Sequence, residues 1–257
     1  MGVLNRTPDS FSDAGQFTDF DAARRHAHAM VQQGAAIIDI GGESTRPGAE
    51  PVSVQEEIER VVPLIARLAG EVDAPISVDT SKPDVMRAAV RAGAVMINDV
   101  YALRQAGALQ AAHDCRVPVC LMHMQGEPRS MQQNPHYQDV VNEVRQFLAG
   151  RVRACIAAGI QSEQILIDPG FGFGKTLDHN LQLLRQLHEF TMLGQPLLVG
   201  LSRKSMIGTL LGKVPVAERL QGSVAAAVVA VLRGAQLIRC HDVAPTVAAL
   251  RVAAAAR

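Results

Sequence analysis

Tryptophan is absent from this sequence and aromatic residues make up only 4% of it, so a core must be built from alanine, valine, leucine and isoleucine. Net charge is absent too: Lys+Arg and Asp+Glu are 25 each, and no basic run or interleaved aromatics mark a nucleic-acid surface. No apolar run is long enough to span a bilayer. Met1–Arg6 carries no Ser or Thr at position six for myristoylation, and no charged n-region with a cleavage site follows. Cys115, Cys120, Cys155 and Cys240 form no CxxC and no zinc spacing, which leaves them as buried, reduced thiols of a cytoplasmic protein. The first apolar run is not followed by GxGxxG, which weakens a dinucleotide-binding reading.

What is present is a repeated pattern. Of 257 residues 48% are apolar, ample for one large core. Short apolar runs fall at Gly2–Asn5, Ala35–Gly41, Pro75–Asp79, Val95–Asp99, Val117–Met124, Ile165–Asp168, Pro196–Ser202 and Gln236–His241. Amphipathic stretches separate them at Phe20–Gln33, Ser53–Ala69, Pro83–Ala92, Leu103–His113 (the weakest), Tyr137–Ala158, Asp178–Phe190, Ala217–Arg233 and Ala244–Ala256. Ser53-Val-Gln-Glu56 is a capping box, and Pro63 should kink or shorten the helix it opens. Strict strand–helix alternation gives parallel strands with crossover helices. Eight such units in a chain of this length predict an α/β fold, a (β/α)8 TIM barrel, as a single domain over 1–257.

A barrel makes side-chain parity testable, because alternate residues of a strand face inward. Ser77 and Asp79 share one face; Arg239 and His241 share one, with Cys240 pointing away. Asn5, Asp39, Asn98, Met122, Asp168 and Ser202 sit at or near C-terminal strand ends, where such barrels place active sites. Asp39 ends a dry run before Gly41-Gly42 and Ser44-Thr-Arg-Pro47, and a carboxylate there must be paired. The glycine pair lets backbone approach a ligand, and Arg46 can bind an anion.

Asp79, Asn98 and Asp168 together suit a flat ring edged with N–H donors, such as an amino-pyrimidinone. For any one Asp the plainer alternative is that it ties down a loop. Asp168-Pro-Gly-Phe-Gly-Phe-Gly-Lys175 is glycine-rich but lacks the phosphate-loop spacing, so a tight strand-to-helix turn competes with phosphate binding; Phe173 can wall an aromatic ring. Ser202-Arg-Lys-Ser205 enters a helix near Met206, where Lys204 can donate to ring acceptors and Ser205 with the helix N-terminus can hold a carboxylate. Arg46, Arg239 and His241 form a candidate anion clamp, with Asn5 an oxygen ligand for Mg²⁺. His241-Asp242 is discounted as a dyad on parity. The other histidines show no zinc spacing and are taken as surface or packing residues.

Seven segments carry a resemblance: Leu4–Asp13, Gly41–Gly48, Ser77–Pro83, Leu121–Gly126, Asp168–Gly174, Ser202–Ser205 and Arg239–Asp242 closely resemble the dihydropteroate synthase family, over residues 1 to about 245. That family condenses 6-hydroxymethyl-7,8-dihydropterin diphosphate with p-aminobenzoate in folate biosynthesis. The resemblance implies a pterin on Asp79, Asn98, Met122, Asp168 and Lys204, and diphosphate on Asn5, Thr45, Arg46, Arg239 and His241. It implies Mg²⁺ on Asn5, p-aminobenzoate against Thr45, Arg46, Pro47, Phe173 and Ser205, and a homodimer. Asp79, Asp168, Lys204, Arg239 and His241 would carry the catalysis, with loops Thr7–Gly15 and Ser44–Gly48 closing over p-aminobenzoate. Arg6 and Ala14 depart from the family pattern in the first loop, and the chain starts at the first strand without the usual N-terminal hairpin. Two rivals stand beside this reading. A methyltetrahydrofolate–corrinoid methyltransferase needs no diphosphate clamp and no Ser-Arg-Lys-Ser loop. A non-catalytic pterin-binding paralogue is opposed by the joint presence of Asn5, Arg46, Lys204, Arg239 and His241.

Overall fold

A computed structural model of the chain describes residues 1–6, 20–45 and 48–256. Strands and helices alternate as β1 (Gly2–Asn5), α1 (Phe20–Gln32), β2 (Ile38–Gly41), α2 (Val54–Leu68), β3 (Ile76–Asp79), α3 (Pro83–Arg91), β4 (Met96–Asp99), α4 (Ala108–Cys115), β5 (Val119–Met122), α5 (Val140–Ala157), β6 (Ile165–Asp168), α6 (Leu177–Arg185), β7 (Leu198–Gly200), α7 (Ser205–Leu210), α8 (Leu220–Leu232), β8 (Leu237–Arg239) and α9 (Val243–Ala255). Strands β1 to β6 pair in sequence order and β7 pairs with β8, all in parallel. Bridges from Ile167 to Leu197 and from Gly2 to Cys240 close the ring. The fold is the expected (β/α)8 barrel.

Most strands are shorter than the apolar runs, because run ends bond outside the ladder; the Ala35 N–H, for example, caps α1 at the Met30 carbonyl (2.9 Å). Helix α2 continues through Pro63 to Leu68, so the proline does not shorten it. Pro63 and Glu59 are both exposed, so water can take the carbonyl that proline leaves without a donor. Ser53 caps α2 by accepting the Glu56 N–H at 3.2 Å, but the Glu56 carboxylate pairs with Arg60, so the reciprocal half of the capping box is not made. The stretch Asp178–Phe190 is two elements, α6 and a 3-10 turn over Leu187–Leu193, and a separate 3-10 turn over Val216–Glu218 delays α8 to Leu220.

The two apolar clusters that lie along the strands occupy their opposite faces. Outward residues such as Ile38, Ile40, Ile76, Val78, Ile97 and Cys240 join the helices in the main core. Inward residues Met1, Ile37, Met96, Cys120, Leu166, Leu198 and Leu237 form a separate cluster inside the barrel. Two residues further along the same strands stand Asp39, Asn98, Met122, Asp168, Gly200 and Arg239. Alternation therefore places these, with Asp79, inside the barrel one level above the apolar cluster, at the C-terminal mouth.

Candidate active site

Arg239 organises the mouth. It lies on β8, whose ladder neighbour is β7, yet its guanidinium reaches β2 and β3: Nε donates to Asp39 Oδ2 at 2.6 Å and an Nη to Asp79 Oδ2 at 2.7 Å. Those bonds run through the barrel interior. Burial opposes the charge, but Asp39 and Asp79 hold the guanidinium above its ordinary pKa. Asp39 is the residue that the sequence places at the mouth but to which it assigns no role, although its burial at the end of a dry strand already demanded a partner. It is fully buried, and its Oδ2 also accepts from Asn98 Nδ2 at 3.1 Å. Its Oδ1, like the Ser77 hydroxyl on the neighbouring row, has no partner among the described residues.

The other carboxylates take different parts. Burial pushes Asp79 up to about 7, with Arg239 opposing and Asp39, Glu57 and Asp99 reinforcing the shift. Asp168 is buried, and its Oδ1 accepts the Gly170 N–H at 2.7 Å; burial raises its pKa against the pull of Lys204. Asp99 is the loop-tying acid, taking the N–H groups of Tyr101 (2.8 Å) and Leu103 (2.7 Å).

Lys204 enters from the loop before α7. Its ammonium donates to the Phe171 carbonyl and sits 4.5 Å from the centre of the Phe173 ring. Burial lowers its pKa to about 8, Asp168 pulling the other way. The two adjacent cations of Ser-Arg-Lys-Ser divide: Arg203, at φ 60°, turns back to pair with Asp242 through both Nε (3.0 Å) and Nη (2.6 Å). That pairing uses Asp242 as parity suggested, away from His241. Ser202 Oγ accepts the His241 N–H and lies 3.1 Å from its ring Nδ1, so the hydroxyl sets the ring's orientation. Ser205 opens α7 and is exposed. Met122 and Phe173 share an apolar wall with Val100, Tyr101, Met124 and Met131.

The glycine pair after β2 has a divided role. A Cβ on Gly41 would lie 3.4 Å from Asn5 Oδ1 and from Asp79 Cβ, in ordinary contact with two mouth residues. A Cβ on Gly42 would meet Val61 at 2.8 Å and Glu57 at 2.9 Å, so Gly42 serves helix packing, not ligand approach. Beside it, Lys82 Nζ joins Glu43 (2.8 Å) and the buried Glu57 (2.5 Å), a cluster the sequence reading did not single out. Thr45 is half-buried on the loop that follows. Arg46, Pro47 and the segment Thr7–Gly15 lie outside the described residues. Arg6 is described: it donates to the Arg60 carbonyl at 2.9 Å and lies against the Phe20 ring.

Among the described residues no three His, Cys, Asp or Glu are grouped to hold a metal. Asn5 would offer a cation one neutral oxygen ligand, with substrate phosphate and water supplying the rest of the shell. Cys120, Cys155 and Cys240 are buried free thiols and Cys115 is half-buried; burial pushes Cys155 up to about 11, so none is an activated nucleophile. Among the described residues no helix is long and apolar enough to cross a membrane.

This barrel with its charged mouth matches the family of pterin binding enzymes over residues 1–241. The dihydropteroate synthase of Escherichia coli strain K12 is 54% identical over 98% of this chain and 89% of its own length. The Yersinia pestis dihydropteroate synthase, solved with a sulfonamide drug, superposes with a TM-score of 0.97 at 53% identity, over 100% of this chain and 93% of that one. The Xanthomonas albilineans enzyme with 4-aminobenzoic acid gives 0.94 at 55% identity, over 100% and 92%. The chain belongs to the dihydropteroate synthase family, transferases that join 6-hydroxymethyl-7,8-dihydropterin diphosphate to p-aminobenzoate in folate biosynthesis.

Proposed function

We propose that this mouth performs that condensation with the residues assigned as follows, within a single domain over 1–257. The observation that carries the assignment is the charged level inside the barrel: Asp79, Asn98 and Asp168 face one space, with Arg239 and Lys204 at its edge. A dihydropterin offers N–H donors along one edge and ring acceptors along another. Asp168, Asp79 and Asn98 take the donors, Lys204 donates to an acceptor, and Met122 packs on the ring face.

The pterin C–O bond to diphosphate then breaks, leaving positive charge on the methylene and ring. Asp79 and Asp168 stabilise that charge through the N–H edge. Asn5, Thr45, Arg46 and His241 hold the departing diphosphate, with Arg239 spanning both sites. Mg²⁺ bound by Asn5 and the phosphates would supply charge neutralisation of the leaving group. The amine of p-aminobenzoate, seated against Phe173, Pro47, Thr45, Arg46 and Ser205, attacks the methylene and loses a proton. No covalent enzyme intermediate is required.

The free, buried thiols fit a reduced, cytoplasmic enzyme. Leu210, Leu232 and Val252 on the last three helices, with Leu211 just after α7, are exposed apolar residues and support a homodimer built there. The deciding assay is diphosphate release from 6-hydroxymethyl-7,8-dihydropterin diphosphate: it should require p-aminobenzoate and yield 7,8-dihydropteroate. Pterin binding without that release would favour the non-catalytic paralogue.

A further inference from the structure

Lys175 is a buried cation, 3% exposed, that the assigned chemistry does not use. Its Nζ lies 2.9 Å from the Gly170 carbonyl, 3.0 Å from the Phe173 carbonyl and 2.9 Å from His123 Nδ1. The His123 carbonyl stands further off, at 3.5 Å, so Nζ is surrounded by acceptors from two loops. Burial pushes Lys175 toward the neutral amine, with Asp168 opposing, and it pushes His123 down to about 2, which keeps the imidazole neutral and able to accept.

Loop 169–175 is built around such donors. Gly170, Gly172 and Gly174 have φ of 69°, 79° and 62°, which turns successive carbonyls to different sides. All five carbonyls from Gly170 to Gly174 receive a side-chain donor. Lys175 takes Gly170 and Phe173, Lys204 takes Phe171, Gln132 takes Gly172, and Tyr137 takes Gly174 at 2.8 Å. The loop also presses on the chain after β5: a Cβ on Gly170 would fall 1.9 Å from the His123 carbonyl, and one on Gly174 would fall 2.4 Å from the Gln125 carbonyl. Lys175 therefore binds the carbonyl of Gly170, the residue whose N–H fixes Asp168, and the carbonyl of Phe173, and ties both to His123.

We propose that Lys175 is a positioning residue that locks Asp168 and Phe173 in one geometry, so that the pterin and p-aminobenzoate pockets are set by a single buried lysine. This rests on the reading above that Asp168 serves the pterin and Phe173 the arylamine.

The test is steady-state kinetics of Lys175→Ala with and without n-propylamine, which replaces the deleted atoms from Cγ to Nζ. Lys175→Ala should raise KM for both substrates at least tenfold and lower kcat/KM about a hundredfold. Propylamine should restore at least tenfold, where tetramethylammonium at equal ionic strength should restore nothing. Merely structural damage would lower the active fraction, and so kcat, with both KM values unchanged; that result, or no rescue by propylamine, would overturn the proposal. If Lys175→Ala does not fold, His123→Leu against His123→Asn decides. Asn keeps an acceptor and should return at least fivefold of the lost kcat/KM, whereas equal losses would overturn the coupling. Asp168→Asn run in parallel separates the two readings: unchanged pterin affinity there condemns the pterin assignment and leaves the Lys175 data to be judged on p-aminobenzoate alone.

Discussion

The two interior levels of the barrel are carried by the same strands and the same strand faces, two residues apart, and they do opposite things. The lower level is Met1, Ile37, Met96, Cys120, Leu166, Leu198 and Leu237, a plug of apolar side chains. The upper level is Asp39, Asp79, Asn98, Met122, Asp168 and Arg239, where two carboxylates share one guanidinium. The lower level stabilises by keeping apolar surface from water. The upper level is costly to desolvate and holds only because its charges compensate one another. Axial height, and not strand identity, separates stability from chemistry in this molecule.

Substitutions at matched positions can break that contrast. The largest effect is expected at Arg239→Met, which strands Asp39 and Asp79. Breaking a buried pair from one side typically costs about 3–5 kcal/mol, so denaturant midpoints should drop and turnover should vanish. Stability within about 1 kcal/mol of the parent would mean that the acids are solvated and not held by Arg239.

Leu198→Ala tests the lower level. Fully buried leucines lose about 2–5 kcal/mol on truncation, and here the loss should come with unchanged KM for both substrates. A KM that moved with it would join the two levels into one functional unit.

Asp168→Asn should weaken pterin binding at least tenfold by calorimetry with little change in unfolding free energy, because loss of one partner of a buried charged contact costs about 2–5 kcal/mol of binding. The mildest prediction concerns pH. Burial favours the neutral form of Lys204, so its ammonium is present below about pH 8 and lost above it. Asp79, pushed up to about 7, is ionised only above that value. The kcat/KM for the pterin diphosphate should therefore peak between these limits. Lys204→Arg should remove the alkaline limb, and a profile flat to pH 10 would show that Lys204 does not titrate in the free enzyme.

The sequence by itself determined the ring. Eight short apolar runs alternating with amphipathic stretches leave a closed parallel barrel as the economical way to bury both strand faces, and parity alone put Asp79 and Arg239 inward with Cys240 outward. It also placed the chemistry, since polar residues cluster where each dry run ends. Only the tertiary structure decided who pairs with whom. Asp39 and Arg239 lie on β2 and β8, and no local pattern says that a guanidinium will cross the barrel to reach it. The same holds for Arg203, which the sequence offers as a second cation beside Lys204 but which the fold turns onto Asp242. Lys175 was legible only as the end of a glycine-rich loop, because its acceptors on His123, Gly170 and Phe173 exist only once two loops are in contact. Periodicity encodes which way a side chain faces, a short-range steric fact; pairing between charges depends on closure of the ring, which brings together residues that the chain keeps far apart.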